Sequence, residues 1–394
     1  METINRKTTL EVADILRINE KDFFSLFEHS LTRPEVKAYY AIRNCRTEFL
    51  GGHIDKCNQC GLEKNSYNSC RNRHCPKCQF LRKEKWLFRE NKNILPVKYF
   101  HLVFTLPSEI NSLILNNKKL FYSLLFKSVS ETLKKVSKKY LNSIPGFLCI
   151  LHTWGQTLSF HPHIHVLITG GGLSADKGKW IDSKEKFFLP IRVLSKLFQR
   201  LFLFHLKNFY NADFLAIPKS CDELKDPSHF NRFLTILYSK KWIVYTKQPF
   251  ENPNSVIKYL GRYTHRIAIS NQRILEITDR TVTFRYKDYA DNDKLKSMTL
   301  SGVEFIRRFM MHILPIQFVK IRHYGIIANR TQKDSLKLCK SLLQKLNRSL
   351  NKKSTPEEWK EILASMIKGI LLCSACKVGS FVTISLIPKR VRPP

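Results

Sequence analysis

A dense run of cysteines constrains the fold of this chain more than any other feature. Six of the eleven cysteines fall between Cys45 and Cys78. Two pairs among them, Cys57-x-x-Cys60 and Cys75-x-x-Cys78, have the spacing of knuckles that bring four thiolates into one tetrahedral zinc site. We therefore predict a structural Zn²⁺ ion whose ligands are Cys57, Cys60, Cys75 and Cys78.

Further candidate ligands lie between and beside these knuckles in the sequence. The sequence does not decide whether they bind a second zinc ion. They are Cys45, His53, Cys70 and His74. Basic side chains surround the same stretch and suit contact with the phosphates of DNA, although a solvated basic face is the alternative interpretation. The predicted contacts there are Arg71, Arg73 and Lys77.

A separate knuckle, Cys373-x-x-Cys376, lies near the end of the chain. It has no evident partner pair in the sequence around it. The sequence therefore favours a packing role or a truncated ribbon for these two cysteines, and it does not decide whether they bind metal.

The charge balance indicates a polyanionic partner. The chain has 67 Lys and Arg against 32 Asp and Glu, a formal charge of +35, which is far more than solubility requires. Nucleic acid is the leading candidate. We find no apolar stretch of membrane-spanning length and no signal-peptide core, so we expect a cytoplasmic, nucleoid-associated protein and no membrane partner. In a reducing compartment, closely spaced cysteines bind metal more often than they form disulfides.

Helices and strands are interspersed without regular alternation, which predicts an α+β fold with a largely antiparallel sheet. We expect a helical and zinc-binding domain over residues 1–95, a larger domain over 96–330 and a basic helical tail over 331–394. Residues 99–106 read as the first strand of the larger domain, and residues 147–158 and 161–169 as a strand pair. The glycines at 170–172 predict a turn that ends the second of these strands.

The sequence His161-Pro162-His163-Ile164-His165 lies on the second strand of that pair. Side chains alternate faces along a strand, so His163 and His165 project together and can share one divalent metal ion. Pro162 is expected to twist His161 away from them. Mg²⁺ and Mn²⁺ prefer more ligands than two imidazoles supply, so a third protein ligand is expected. Gln156 on the neighbouring strand and His101 on an earlier strand are the alternatives.

Two tyrosines, Tyr259 and Tyr263, are four residues apart on a helix predicted over residues 254–266. That spacing places them on one helix face. A phenol with an ordinary pKa of about 10 needs a polarised phosphate or nearby positive charge to act as a nucleophile. Arg262 and Arg266 supply such charge and are predicted to contact DNA. Core packing is the simpler explanation for a tyrosine pair, but the histidines and the net charge favour a catalytic role.

These motifs together resemble the two-tyrosine HUH transposases of rolling-circle insertion sequences. The resemblance rests on His163-Ile164-His165, on the Tyr259 to Tyr263 pair in Tyr-Leu-Gly-Arg-Tyr-Thr-His-Arg, and on Ser-Cys-Arg-Asn-Arg-His-Cys-Pro-Lys-Cys-Gln at residues 69–79. Residues 152–156 and 323–325 are also similar to that family. The similar region runs from residue 20 to residue 345.

The resemblance implies a zinc-binding amino-terminal domain joined to an HUH endonuclease domain, which has a twisted antiparallel sheet flanked by helices. It implies that Tyr259 or Tyr263 cuts one strand at a transposon end, leaving a 5′-phosphotyrosine and a free 3′-hydroxyl, with Mg²⁺ or Mn²⁺ at the histidines. A second tyrosine permits strand exchange without ATP. The expected substrate is single-stranded or hairpin DNA, and host replication or a host helicase would unwind it, because the sequence lacks a phosphate-binding loop motif.

Two other functions remain open from the sequence. A rolling-circle replication initiator or relaxase shares the histidines and tyrosines but cuts an origin. A non-catalytic, zinc-dependent DNA-binding regulator binds DNA without forming a covalent adduct, and this interpretation leaves the tyrosine pair unexplained.

Overall fold

The computed structural model of the protein describes residues 10–183, 189–250, 253–264, 266–346, 348 and 372–390. Within these ranges, the side chains at positions 80, 81, 247–249, 253, 254, 257, 258 and 262 are not described. The described chain is an α+β fold with antiparallel sheets, as predicted. None of its described helices is both long and apolar enough to cross a membrane.

Three short helices begin the described chain, in agreement with the helical spacing of its apolar residues. They are α1 (Val12–Ile18), α2 (Glu20–Phe27) and α3 (Arg33–Arg43). A capping box starts α3, where Glu35 accepts a hydrogen bond from the backbone N–H of Thr32 at 2.9 Å. The rings of Phe23 and Tyr39 stack with their centroids 5.7 Å apart, so the helices share one apolar core.

The cysteine-rich stretch forms a hairpin followed by a helix. Its elements are β1 (Gly52–Cys57), β2 (Glu63–Tyr67) and α4 (Gln79–Asn91). Cys57 and Cys60 lie at the tip of the hairpin, because β1 and β2 pair from Gly52 opposite Tyr67 down to Lys56 opposite Glu63. The base of the hairpin returns to the end of α3.

The remaining elements build the larger part of the fold. In chain order they are β3 (Tyr99–Thr105), α5 (Asn111–Asn116), α6 (Lys118–Leu141), β4 (Ser143–Trp154), β5 (Phe160–Ser174), β6 (Trp180–Asp182), α7 (Ile191–Asn211), α8 (Pro227–Ser239), β7 (Val244–Phe250), α9 (Pro253–Tyr263), β8 (Ile274–Ile277), β9 (Thr281–Asp288), β10 (Lys294–Ser301), α10 (Gly302–Met311), β11 (Ile321–Gly325), α11 (Gln332–Lys345) and β12 (Phe381–Ile387).

An antiparallel sheet of order β11-β4-β5-β3-β7, with β6 beside β5, forms the centre of the fold. One face packs against α6, α7 and α8 through alternating apolar residues such as Phe100, Leu102 and Phe104. The opposite face is covered by α4, α9 and α11. Side chains of β3, β4 and β5 on this face therefore lie between the sheet and α9, the helix that carries Tyr259 and Tyr263.

A second layer joins the amino-terminal helices to the chain beyond α9. The apolar residues of α1 and α3 share a core with β9 and α10, including Phe284 and Phe305. Ser301 caps α10, since its hydroxyl accepts the N–H of Glu304 at 3.2 Å. Strands β8 and β9 form a hairpin, and β10 extends it into a three-stranded antiparallel sheet.

The glycines at 170–172 do not end β5, contrary to the prediction, because the strand continues to Ser174. Gly171 has a φ of +149°, and a Cβ atom on Gly172 would lie 2.4 Å from the carbonyl oxygen of Ile144 on β4. These glycines therefore allow a close approach between strands rather than a turn.

The end of the described chain returns to its beginning. Strand β12 pairs antiparallel with β1, from Gly52 opposite Ile387 to Cys57 opposite Phe381. The order of this small sheet is β12-β1-β2, so β1 is its central strand. The basic tail predicted as helical contains α11 but also this strand.

Candidate active site and metal centres

The central sheet brings four histidines together on the face that α9 covers. His163 and His165 lie on β5, His152 on β4 and His101 on β3. His152 stands directly opposite His163 in the β4–β5 ladder. The alternate residues of β5 enter the core beneath α6, so strand alternation sends the imidazoles to the opposite side.

Three of these histidines offer nitrogen atoms to one point in space. One ligand atom each from His152, His163 and His165 lies within 4.8 Å of the others, and the Nε2 atoms of His163 and His165 are 3.1 Å apart. His163 donates from Nδ1 to the carbonyl oxygen of His161 at 2.7 Å. Its neutral ring therefore keeps the lone pair on Nε2. This donor set fits a divalent metal ion.

The third histidine of this group is not one of the two residues proposed from the sequence. The amide of Gln156 donates instead to the hydroxyl of Tyr289 at 2.9 Å, beyond the end of β4. Strand alternation was a partial signal for His152, because it puts His152 and Gln156 on the same face of the predicted strand over residues 147–158. The observed register, which sets His152 opposite His163, decides between the two.

His101, the other proposed ligand, lies behind the group rather than in it. Its Nε2 is 3.0 Å from Nδ1 of His165, and the two rings stack with centroids 5.2 Å apart. When Nδ1 of His165 carries the proton and donates to His101, the lone pair on Nε2 of His165 points toward His163. His101 is therefore placed to orient His165, which is a candidate ligand.

Burial keeps these imidazoles in the neutral form that binds metal. It lowers the pKa of His163 to about 4. It also holds the pKa values of His152 and His165 well below the ordinary histidine range, with a smaller effect from neighbouring histidines. Neutral imidazole is the ligating form, so the group is prepared for a cation near neutral pH.

Helix α9 places both tyrosines against the histidines, which agrees with the prediction that Tyr259 and Tyr263 share one face of the helix. The ring centroid of Tyr263 is 4.7 Å from that of His165, and the ring of Tyr259 is 4.7 Å from that of His101. His152 donates from Nε2 to the backbone carbonyl of Tyr263 at 2.7 Å, which leaves its Nδ1 as the ligand atom. The tyrosine helix is thus bonded directly to the histidine group.

The two tyrosines differ in exposure. Their rings stack with centroids 4.4 Å apart, and Tyr259 lies beneath Tyr263 with 7% of its surface exposed. Within the described chain, the Tyr259 hydroxyl is buried and has no hydrogen-bond partner. Burial raises the pKa of Tyr259 well above its usual value, whereas the Tyr263 side chain is half-buried.

One cysteine cluster joins the end of α3 to the start of α4. Its members are Cys45, Cys70, Cys75 and Cys78. The sulfur of Cys78 lies 3.6 Å from that of Cys45 and 3.7 Å from that of Cys70. The backbone N–H of Asn72 points at the sulfur of Cys70 at 3.4 Å, which is a contact that stabilises a thiolate.

This grouping corrects the predicted site of Cys57, Cys60, Cys75 and Cys78. Cys57 and Cys60 sit at the tip of the β1–β2 hairpin, whose paired length of five residues spans roughly 15 Å. The hairpin base brings Cys70 to Cys45 instead, since the N–H of Arg46 donates to the carbonyl of Asn68 at 3.1 Å.

The predicted second site, which combined Cys45 and Cys70 with His53 and His74, is also not formed. His53 faces Asp55, with 3.4 Å between Nε2 and Oδ2. His74 is half-buried and accepts the N–H of Leu314 at 3.3 Å. Neither imidazole belongs to a cysteine cluster among the described residues.

A second cluster contains the cysteines at the hairpin tip and the knuckle near the end of the chain. Its members are Cys57, Cys60, Cys373 and Cys376. The expectation that Cys373 and Cys376 lack a partner pair is therefore wrong, because strand β12 carries them back to β1.

Two known protein families match parts of this chain. Residues 146–335 match a family described as "Putative transposase", and residues 15–106 match a "Transposase zinc-binding domain". A putative transposase of Sinorhizobium fredii is 41% identical over 387 residues, which cover 98% of this chain and 97% of that protein. The chain belongs to the IS91/IS801 family of transposases.

A second relative is consistent with this membership. The transposase for insertion sequence element IS801 of Pseudomonas savastanoi pv. phaseolicola is 26% identical over 352 residues, covering 88% of this chain and 81% of that protein. No solved structure matches the transposase significantly.

The zinc-binding domain of the transposase and its cysteine clusters together support structural zinc. Zn–S bonds of about 2.3 Å in a tetrahedral site place the sulfurs about 3.8 Å apart. The sulfur distances in the first cluster, 3.6 and 3.7 Å, fit this value. They are far from the disulfide bond length of about 2.05 Å.

As a transposase the protein binds DNA, and the basic residues predicted to do so differ in their surroundings. Arg71 and Arg266 are exposed. Arg73 donates to a backbone carbonyl at 2.6 Å, and Lys77 pairs with a glutamate at 2.6 Å. The side chain of Arg262 lies outside the described residues. Arg71 and Arg266 therefore keep their charge facing solvent, and their contact with DNA stays a prediction.

Proposed function

We propose that this transposase cuts and rejoins single DNA strands at the ends of its element through a covalent phosphotyrosine. The observation that carries the proposal is the position of Tyr263. Its ring lies 4.7 Å from that of His165, whose Nε2 is 3.1 Å from Nε2 of His163. Phosphodiester transfer requires a nucleophile and a group that polarises the phosphate. A phenol beside side chains that can hold a metal ion supplies both.

In the first step, the phenol oxygen of Tyr263 attacks the scissile phosphorus, and the bond from phosphorus to the 3′-oxygen breaks. The phenol proton passes to solvent, and the departing 3′-oxygen takes up a proton. One phosphoester bond replaces another, so the step consumes no ATP. His152, His163 and His165 would hold Mg²⁺ or Mn²⁺, which when bound supplies Lewis-acid polarisation of the phosphate. Rejoining is the same step in reverse, with a 3′-hydroxyl as the nucleophile.

Exposure supports an order for the two tyrosines. Tyr263 is half-buried and directly contacts the histidine group, whereas Tyr259 is stacked beneath it with its hydroxyl buried. We assign the first cleavage to Tyr263. Tyr259 then serves a second cleavage, after movement of the Tyr263 side chain with its attached strand uncovers it.

An exposed aromatic residue on the same sheet face supports a single-stranded or hairpin substrate. Tyr245 on β7 and His165 on β5 both stand opposite Val103 of β3 in the two ladders. Tyr245 is therefore two strands from His165, or about 10 Å, and 52% of its surface is exposed. Aromatic rings in this position stack unpaired bases. Host replication or a host helicase would supply the unpaired strand.

The test is an adduct assay with the full chain, Mn²⁺ and single-stranded oligonucleotides that carry the ends of the element. A denaturant-resistant protein–DNA adduct is expected. Tyr263→Phe should abolish it, whereas Tyr259→Phe should retain the first adduct but lose the second cleavage. Tyr238→Phe, an exposed tyrosine on α8, is the matched control.

Other outcomes separate the alternatives. Binding of the ends without any adduct would favour a zinc-dependent regulator. Cutting of a replication or transfer origin in preference to the element's ends would favour an initiator or relaxase. An adduct retained by the Tyr259→Phe, Tyr263→Phe double variant would refute the assigned nucleophiles.

A further inference from the structure

The second cysteine cluster joins residues from opposite ends of the chain. The sulfurs of Cys57 and Cys376 are 3.7 Å apart, and those of Cys60 and Cys373 are 3.5 Å apart. Both distances are close to the tetrahedral spacing of about 3.8 Å that zinc imposes on four thiolates. We propose that these four cysteines bind a second structural zinc ion, which makes the last described strand part of the amino-terminal zinc module.

The two knuckles of this cluster have the same backbone geometry. In each, the residue after the second cysteine is left-handed, with φ of +73° at Gly61 and +59° at Lys377. In each, that residue donates its N–H to the carbonyl of the first cysteine, at 3.1 Å to Cys57 and 3.0 Å to Cys373. Two copies of one turn thus present two sulfurs each to a shared point, as a four-cysteine zinc ribbon requires.

Backbone N–H groups also point at the sulfurs. The N–H of Gln59 lies 3.5 Å from the sulfur of Cys57, and that of Gly379 lies 3.3 Å from the sulfur of Cys376. Such donors stabilise the thiolate form, which is the form that binds zinc. Contacts of this kind therefore occur in both knuckles of the cluster.

The strands behind the knuckles hold the two pairs in place. Asp55 on β1 accepts hydrogen bonds from Ser66 of β2 at 2.6 Å and from Thr383 of β12 at 2.8 Å. Gly379 packs directly on the first knuckle, because a Cβ atom at that position would lie 2.5 Å from the sulfur of Cys57. The tail is therefore fitted to this hairpin tip.

Packing alone does not account for these cysteines. Cys149 and Cys339 show how the chain uses cysteine as an apolar side chain, since each lies inside a large hydrophobic cluster. The four cysteines of the second cluster belong to none of the three hydrophobic clusters formed by the described residues, and Cys60 is exposed. Clustered thiols outside a core are typical of a metal site.

The test counts zinc in the full chain and does not depend on DNA cleavage. Wild-type protein, washed with a weak chelator, should contain two zinc ions per chain. Cys373→Ser/Cys376→Ser should contain one, and Cys221→Ser, a half-buried cysteine outside both clusters, should contain two. Alkylation followed by peptide mass spectrometry should find Cys57 and Cys60 newly reactive in the double variant, with Cys45, Cys70, Cys75 and Cys78 still protected.

Two further measurements test the proposal without relying on correct folding of Cys373→Ser/Cys376→Ser. Gly379→Val keeps every cysteine and should also lose one zinc ion. In the wild-type chain, Co²⁺ in place of zinc should give sulfur-to-cobalt absorption of two tetrathiolate sites per chain. A single such site in the wild type, or protection of Cys57 and Cys60 that persists in Cys373→Ser/Cys376→Ser, would overturn the proposal.

Discussion

His152 donates from Nε2 to the backbone carbonyl of Tyr263 at 2.7 Å. The same imidazole offers its other nitrogen to the group that contains His163 and His165. One side chain therefore connects the candidate metal-binding group to the backbone of Tyr263, the proposed nucleophile. A displacement of helix α9 would therefore move His152 relative to His163 and His165. Loss of His152 would in turn remove a hydrogen bond that holds the end of α9.

Replacement of both histidines of the strand motif should separate catalysis from binding. His163→Ala/His165→Ala should lower adduct formation at least about 100-fold, because the phosphate loses its polarising group. DNA affinity should change little, since the net charge of +35 remains. The measurements are an adduct assay and a binding titration, with His229→Ala as the control because His229 is exposed on α8. Undiminished nicking would refute the metal assignment.

The third ligand can be identified by comparing two substitutions. His152→Ala should raise the Mn²⁺ concentration needed for half-maximal cleavage at least about tenfold, as expected when part of a metal site is lost. Gln156→Ala should leave that concentration unchanged, because Gln156 bonds to Tyr289 rather than to the histidine group. Metal titrations of the two variants side by side make the comparison. The opposite ranking would restore Gln156 as the ligand.

Removal of the exposed ring on β7 should weaken the binding of unpaired DNA. Tyr245→Ala is expected to lower affinity for a single-stranded end about 5- to 150-fold, which corresponds to the loss of one stacked base, about 1–3 kcal/mol. Affinity for a fully paired duplex should not change. Fluorescence anisotropy with both substrates measures this, and Tyr238→Ala on α8 is the control. An equal loss for duplex and single strand would argue against stacking.

A buried histidine outside the metal group makes folding sensitive to acid. His312 donates to the carbonyl of Leu158 and accepts from the hydroxyl of Thr153, each at 3.2 Å. Burial lowers its pKa to about 3. Between the ordinary pKa of about 6.5 and this value, the unfolded chain binds a proton that the folded chain does not. The free energy of unfolding therefore falls as pH falls, by about 1.4 kcal/mol per pH unit from this group.

The check is urea unfolding at several pH values for the wild type and His312→Gln. The glutamine variant should lose stability less steeply below about pH 6.5. A comparison at each pH removes the contribution of zinc release, which both proteins share. Parallel slopes would show that His312 is not the responsible group.

Local periodicity was sufficient to predict which side chains share the face of the candidate active site. The alternation along β5 put His163 and His165 on one side, and the four-residue spacing put Tyr259 and Tyr263 on one side of α9. Both are properties of a single element, so neighbouring residues determine them. The position of His152 depended on the register between β4 and β5, which the predicted strand pair did not determine.

The division of the cysteines could not be predicted in the same way. Cys57-x-x-Cys60 and Cys75-x-x-Cys78 look alike in sequence, and nothing local says which knuckle joins which. The hairpin separates them, and a strand more than three hundred residues away supplies the partner of the first. The turn predicted at residues 170–172 was wrong for a related reason. These glycines are needed for the close approach of β4, which is a tertiary contact that the local sequence does not reveal.

The pairing of β12 with β1 also sets the order in which the protein can mature. Cys60 and Cys373 are separated by 313 residues, and a ribosome adds about 5–20 residues per second. Roughly 15 to 60 s therefore pass between the synthesis of the two halves of the small sheet. During that interval β1 has an unpaired edge. The amino-terminal module is completed only after residues 373–387 have been synthesised, so a nascent chain that stops before them lacks the finished module.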